Sequence, residues 1–222
     1  MRLKPVQMRL WRAVEAQHRV STLRLVDNDP EDQEVLERIL EDSKPKIPAE
    51  AQNLGYLLST PFRYRSPYGS RFRGPFDPGV FYGAQERRTA CAELGYWRWR
   101  FAQESAGLGE IEATAQTVFQ SGIKTRAADL RSAPYAADRA RWTHPSDYGP
   151  TQAFGREARD AGAGVILYES VRDPEHAVCG AVLEPQAFRP TRPVAQETWF
   201  LTITQRAALW TREKVEFVFG FS

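Results

Sequence analysis

Polar and apolar residues alternate with a period of two over Met8–Val14, which predicts a first β-strand. A helix is expected next. Asp29 stands as N-cap, Pro30 takes the first helical position and Glu31 and Asp32 fill the first turn. Val35, Leu36, Ile39 and Leu40 form its expected buried stripe, and Ser43-Lys44-Pro45 ends it. A second helix is predicted from Pro48 through Leu54, Leu57 and Leu58, stopping before Pro61.

A Gly/Pro-rich loop, Gly74 to Gly79, then leads to a short apolar strand, Val80-Phe81-Tyr82. After Gly83-Ala84 the period becomes helical, and Ala90, Leu94, Trp97 and Phe101 fall on one face. Glu110–Ala115 alternates again, predicting a strand that reaches Phe119. Lys124–Arg141 is polar and reads as loop or helix, and 142–150 carries Gly and Pro punctuation.

Pro150–Asp160 reads as a helix with Phe154, Ala158 and Ala161 inward and Gly162 as the residue that closes it. Val165–Tyr168 is a buried strand that delivers Ser170. Three β-rich runs follow, 177–183, 197–205 and 207–219, the last two joined at Gln205-Arg206 as a hairpin. The order of elements predicts an α+β fold in one domain spanning 1–222. Its core covers about 10–188, and a C-terminal β-hairpin extension over 195–222 adds a sheet edge.

Composition narrows the function. The 222 residues are 42% hydrophobic, ample for a core, and a net charge of +2 is too small to predict nucleic-acid binding by electrostatics. Twenty-five of the 30 basic residues are arginine, which suits phosphate and carboxylate recognition and equally fits a compositional bias. The two cysteines, Cys91 and Cys179, make no disulfide framework, and Cys91 reads as buried packing. His18, His144 and His176 show no metal-ligand spacing, so no metal is expected. With no 18-residue apolar run and no signal-peptide core, a cytoplasmic protein is expected.

The candidate chemistry lies between Gly69 and Phe101. Arg71, Tyr82 and Glu93 are spaced so that a loop, a strand and a helix can bring them to one cleft. Arginine forks onto pyrophosphate oxygens, and tyrosine offers a flat face to a ring. A carboxylate in a closed site stabilises an oxocarbenium-like centre. Spacing alone also fits a surface arginine, a core tyrosine and a solvated glutamate. The alternating aromatic and basic run Thr60–Tyr68 reads as a wall of the same cleft, against which an adenine would stack.

Several segments together resemble the RES domain, a bacterial toxin family: Gly69-Ser70-Arg71-Phe72, the loop to Gly79, Val80-Phe81-Tyr82 and Ala90-Cys91-Ala92-Glu93. Gln152, on the helix ahead of the strand Val165–Tyr168, and Tyr168-Glu169-Ser170-Val171-Arg172 extend the likeness, which covers about 10–188. Arg12, on the first strand, resembles the family's opening segment; an exposed edge charge is expected, with a contribution to the pocket as the alternative. The family has Trp-Asn where this chain has Phe72-Arg73, and the loop before the strand is one residue longer, so Phe81 or Tyr82 is the pocket aromatic.

The resemblance implies an ADP-ribosyltransferase-like split β-sheet and a toxin that consumes NAD as substrate, breaking the nicotinamide–ribose bond and passing ADP-ribose to phosphate, water or a target protein. It implies catalytic Glu93, Arg71 and Ser170, with Arg71, Arg73, Tyr82 and Ser170 on the substrate. Ser170 serves there as a hydrogen-bonding ligand, since no Gly-x-Ser-x-Gly elbow surrounds it. It also implies a cognate antitoxin covering the cleft, with no membrane or direct nucleic-acid partner. The alternative is a partner-binding module whose cleft has lost its chemistry. A nuclease ranks third.

Overall fold

The computed structural model describes residues 1–16, 26–27 and 29–221; His18 lies outside them. In chain order the elements are β1 (Lys4–Glu15), α1 (Pro30–Asp42), α2 (Tyr56–Arg63), β2 (Phe81–Ala84), α3 (Arg87–Glu104) and β3 (Ile111–Asp129). They continue as α4 (Arg139–Trp142), α5 (Gly149–Asp160), β4 (Val165–Glu169), β5 (Val178–Val182), β6 (Ala195–Ile203), β7 (Ala207–Arg212) and β8 (Val215–Gly220). The class is α+β, as the pattern predicted.

β3 is the seam of the sheet. One side pairs antiparallel with β1 from Gln116 to Ala127. Its first half pairs antiparallel with β6 on the other side, and Ala127–Asp129 at its end pair in parallel with β4. β4 pairs with β5, β5 with β2, and β2 touches β1 at Trp11 and Ala84, so β1, β2, β5, β4 and β3 close on one another. β6, β7 and β8 run outward from the first half of β3. The C-terminal extension is therefore three strands, its second run being split by the turn at Glu213, which has a φ of 54°.

Several expectations need correcting. Residues 124–129 are strand, since β3 continues ten residues beyond Phe119. Pro48 opens only a 3₁₀ turn at Ala49–Ala51, and α2 runs through Pro61 to Arg63, the proline falling in its last turn. Asp29 caps α1 as predicted, its carboxylate accepting from the N–H groups of Glu31 and Asp32, yet no residue of α1 is buried. Val35, Ile39 and Leu40 face solvent, and the helix end is tied down by Arg63, which bonds Glu41 at 2.6 Å. Ala161 is exposed as the C-cap of α5, while Gly162, at a φ of 74°, and the Ala163-to-Ala158 hydrogen bond complete the αL ending.

The face of α3 is the most consequential correction. Ala90, Cys91, Ala92, Gly95 and Ala102 are buried, whereas Trp97 and Phe101 are exposed. A Cβ on Gly95 would lie 2.9 Å from Ala208 and 3.1 Å from the Trp210 indole nitrogen. Buried Trp199 and Trp210 leave room for small residues only, so α3 lies close on β6–β8. That packing leaves Glu93 to face the cleft where β1 and β2 meet, with Leu94 at the border between the cleft and this core.

Candidate active site

A cleft of about 370 Å³ opens between α3, the edges of β1 and β2, and the segments that follow β4. Arg71, Tyr82 and Glu93 all line it. Tyr82 and Phe81 alternate across β2. Phe81 is fully buried against Phe119 and Phe188, which leaves Tyr82 as the cleft aromatic. The Tyr82 hydroxyl lies 2.8 Å from Ser70 Oγ and accepts from the Phe72 N–H at 2.9 Å, so β2 holds the loop that carries Arg71. Burial pushes that phenol's pKa up. Gln152 on α5 holds the same loop, donating to the Ser70 carbonyl at 3.1 Å.

Arg71 donates to the carbonyls of Trp142 and His144, both at 3.0 Å, and its guanidinium lies 4.7 Å from the centre of the Tyr148 ring. Among the described residues no carboxylate pairs with it, so its remaining donors are available to an anion. Glu93 receives the Ser170 hydroxyl at 2.6 Å. Ser170 Oγ in turn accepts the N–H groups of Arg172 at 3.2 Å and Asp173 at 3.0 Å. A hydroxyl has one proton and two lone pairs. Those of the fully buried Ser170 are all taken. The expected hydrogen bond from Ser170 to a substrate therefore has no donor left, and the geometry makes Ser170 a holder of Glu93.

One expected residue and one expected segment fall outside the cleft. Arg73 does not line it and donates to the Tyr68 carbonyl at 2.7 Å. The Thr60–Tyr68 segment does not line it either; Tyr64 and Tyr68 are solvent-exposed. The aromatic wall comes from Tyr148, Trp97, Trp11 and Tyr168 instead.

Two cleft arginines were missed or misplaced by sequence reasoning. Arg172 stacks 3.6 Å from the Tyr96 ring centre and donates to the Pro145 carbonyl at 2.5 Å. Arg12 is not an exposed edge charge. It donates to the Tyr82 carbonyl at 2.8 Å, sits 4.8 Å over the Phe81 ring, and its Nε is buried with no partner. Burial pushes its pKa down to about 10, which leaves it charged at neutral pH. Three guanidinium groups and one carboxylate thus line a cleft with aromatic walls. Cys91 and Cys179 are buried thiols whose pKa values burial raises, as befits packing. Among the described residues no cluster of three or more His, Cys, Asp or Glu could hold a metal, and no helix is long and apolar enough to cross a membrane.

An eight-stranded sheet with helices packed on it, an arginine- and aromatic-lined cleft at its strand edges and a carboxylate delivered from one helix define the class as α+β. More particularly, this chain belongs to the RES domain family, whose model matches residues 47–203. The match takes in Arg71, Tyr82, Glu93, Gln152 and Ser170, together with β6; it starts later than the expected 10–188, leaving out β1 with Arg12 and α1, and ends before β7 and β8. No curated relative matches the chain. Among solved structures, a chain of the crystal structure of the M. tuberculosis MbcT–MbcA toxin–antitoxin complex is similar in fold, with a TM-score of 0.51. It has 15% sequence identity and covers 91% of this chain and 87% of that one.

Proposed function

We propose that this protein is the toxin of a toxin–antitoxin pair and that its cleft cleaves the nicotinamide–ribose bond of NAD. The observation that carries the reading is the charge layout: Glu93, pinned by Ser170, is the sole carboxylate among the lining residues, and the other charged groups there are Arg12, Arg71 and Arg172. The resulting excess of two positive charges suits a pyrophosphate, which carries two negative ones. RES family membership and the fold shared with a chain of a toxin–antitoxin complex support the same reading.

The mechanism follows from these positions. Arg71 and Arg12 hold the pyrophosphate oxygens, and the Tyr82 ring packs the nicotinamide. As the glycosidic C–N bond breaks, its electron pair stays with the nicotinamide nitrogen and neutralises that ring. Positive charge moves to the anomeric carbon and its ring oxygen. Glu93, held in place by Ser170, meets that charge and needs no reorientation. An acceptor oxygen from phosphate, water or a protein then bonds to the anomeric carbon, and a water or hydroxyl acceptor releases its proton.

Ser170→Ala removes the bond to Glu93 and takes the acceptor from two N–H groups, the half-buried one of Arg172 and the buried one of Asp173. A loss of about 1–3 kcal/mol in transition-state binding is expected, with NAD affinity little changed. Nicotinamide-release kinetics beside calorimetry check it, and a trapped covalent adduct on Ser170 would point to nucleophilic catalysis instead.

In a bacterium, expression of the chain alone is expected to lower cellular NAD and arrest growth, and co-expression of its antitoxin to relieve both. Normal growth with an intact NAD pool, at high yield of folded protein, argues for a partner-binding module and against the toxin.

A further inference from the structure

We infer that Asp173, through Thr89, is a positioning residue that fixes the Glu93 carboxylate by bracing α3 against the turn that carries Ser170. The inference rests on the reading that Glu93 meets the developing positive charge.

Asp173 is 1% exposed and does not line the cleft. Its carboxylate is fully engaged. Thr89 Oγ1 donates to Oδ2 at 2.7 Å, while Oδ1 receives the Arg88 guanidinium and the Glu175 N–H, the latter at 3.2 Å. Its own N–H donates to Ser170 Oγ at 3.0 Å. Thr89 is fully buried and stands on α3 four residues before Glu93, one turn back along the same face.

These bonds close a ring: Glu93 to Ser170, Ser170 to the Asp173 backbone, the Asp173 side chain to Thr89, and Thr89 up one helical turn to Glu93. The Ser170–Glu93 bond alone would let the helix pivot about a single contact. A second contact one turn away removes that freedom, and a catalytic group displaced by about 1 Å can lose about a hundredfold in rate. A buried carboxylate is a costly way to join two elements that apolar side chains could also join. What the carboxylate adds is direction: each oxygen fixes one donor. Arg88 extends the brace outward, lying 4.9 Å from the ring centre of Phe219 on β8.

The test compares Thr89→Val, Thr89→Ser, Ser170→Ala and the Thr89→Val/Ser170→Ala pair in the full-length chain. Thr89→Val keeps the shape of the side chain and removes the donor. Its kcat for nicotinamide release is expected to fall about 10- to 100-fold with NAD affinity within about twofold. Thr89→Ser, which keeps the hydroxyl, is expected near wild type. Because the two contacts hold Glu93 only as a pair, Thr89→Val is expected to add less than about twofold once Ser170 is alanine. A purely structural Thr89 would lower thermal stability, and its effect on kcat would multiply with that of Ser170→Ala.

Should Thr89→Val not fold, Thr89→Ala removes the same donor without a branched replacement. A crystal structure of the variant gives a readout independent of turnover: the 2.6 Å separation of Ser170 Oγ and Glu93 Oε1 is expected to open beyond about 3.5 Å. An unchanged separation, or a folded variant with full kcat, overturns the inference. If wild type releases no nicotinamide, the NAD reading fails, and the crystallographic separation still decides the brace.

Discussion

Glu93→Gln is expected to bind NAD within a few-fold of the wild type and to turn it over about 10²–10³ times more slowly, the usual cost of removing a preorganised electrostatic partner. The substitution keeps the side chain's size and leaves an amide oxygen to accept the Ser170 hydroxyl. What it removes is the negative charge in a cleft whose other lining charges are arginines. The ground state of NAD has little use for that charge beside its phosphates. The transition state does, because positive charge appears at the ribose only as the bond breaks, so kcat falls while affinity holds. Calorimetry with NAD beside a nicotinamide-release assay separates the two quantities. A variant that keeps most of its activity would reduce Glu93 to a helix carboxylate with a serine neighbour.

Arg71→Lys is expected to do the reverse. Lysine keeps the positive charge but loses the planar fork, the stacking on Tyr148 and the geometry that binds the carbonyls of Trp142 and His144 together. The charge that Arg71 meets is already present in NAD, so ground state and transition state weaken together. KM is expected to rise about 10- to 100-fold, matching about 1.5–3 kcal/mol for a hydrogen bond to a charged group, with kcat within a few-fold. A fall in kcat at unchanged KM would assign Arg71 to the chemistry instead. Steady-state kinetics over a wide range of NAD concentration distinguish these outcomes.

The residues of this account differ in how plainly the chain declares them. The cap at Asp29, the αL ending at Gly162 and the strand that delivers Ser170 follow from local rules, and the structure bears each of them out. The face of α3 does not, because helical spacing marks Trp97 and Phe101 as apolar without saying what lies beneath. Trp199 and Trp210, about a hundred residues further on, already fill that space, and only Ala and Gly fit against them. The length of β3 is hidden for a related reason: Lys124 and Arg126 look like loop residues, yet pairing with β1 carries the strand past both.

The cleft shows the same division. Arg71, Tyr82 and Glu93 stand in a compact motif, and the fold brings them to one cavity. Arg12 carries no local mark that separates a guanidinium over Phe81 from a solvated edge charge. Tyr148 and Arg172 meet at 3.4 Å across 24 residues, a contact that no spacing rule reports. Arg73 is the converse case, a residue inside the motif whose side chain turns away to the Tyr68 carbonyl.

The most direct test of the central claim is to incubate the purified chain with NAD, with and without phosphate and with cell lysate, and to identify the products by mass spectrometry. Free nicotinamide is the predicted result, accompanied by ADP-ribose 1″-phosphate, by ADP-ribose or by a modified lysate protein according to the acceptor. Folded protein that releases no nicotinamide under any of these conditions would contradict it.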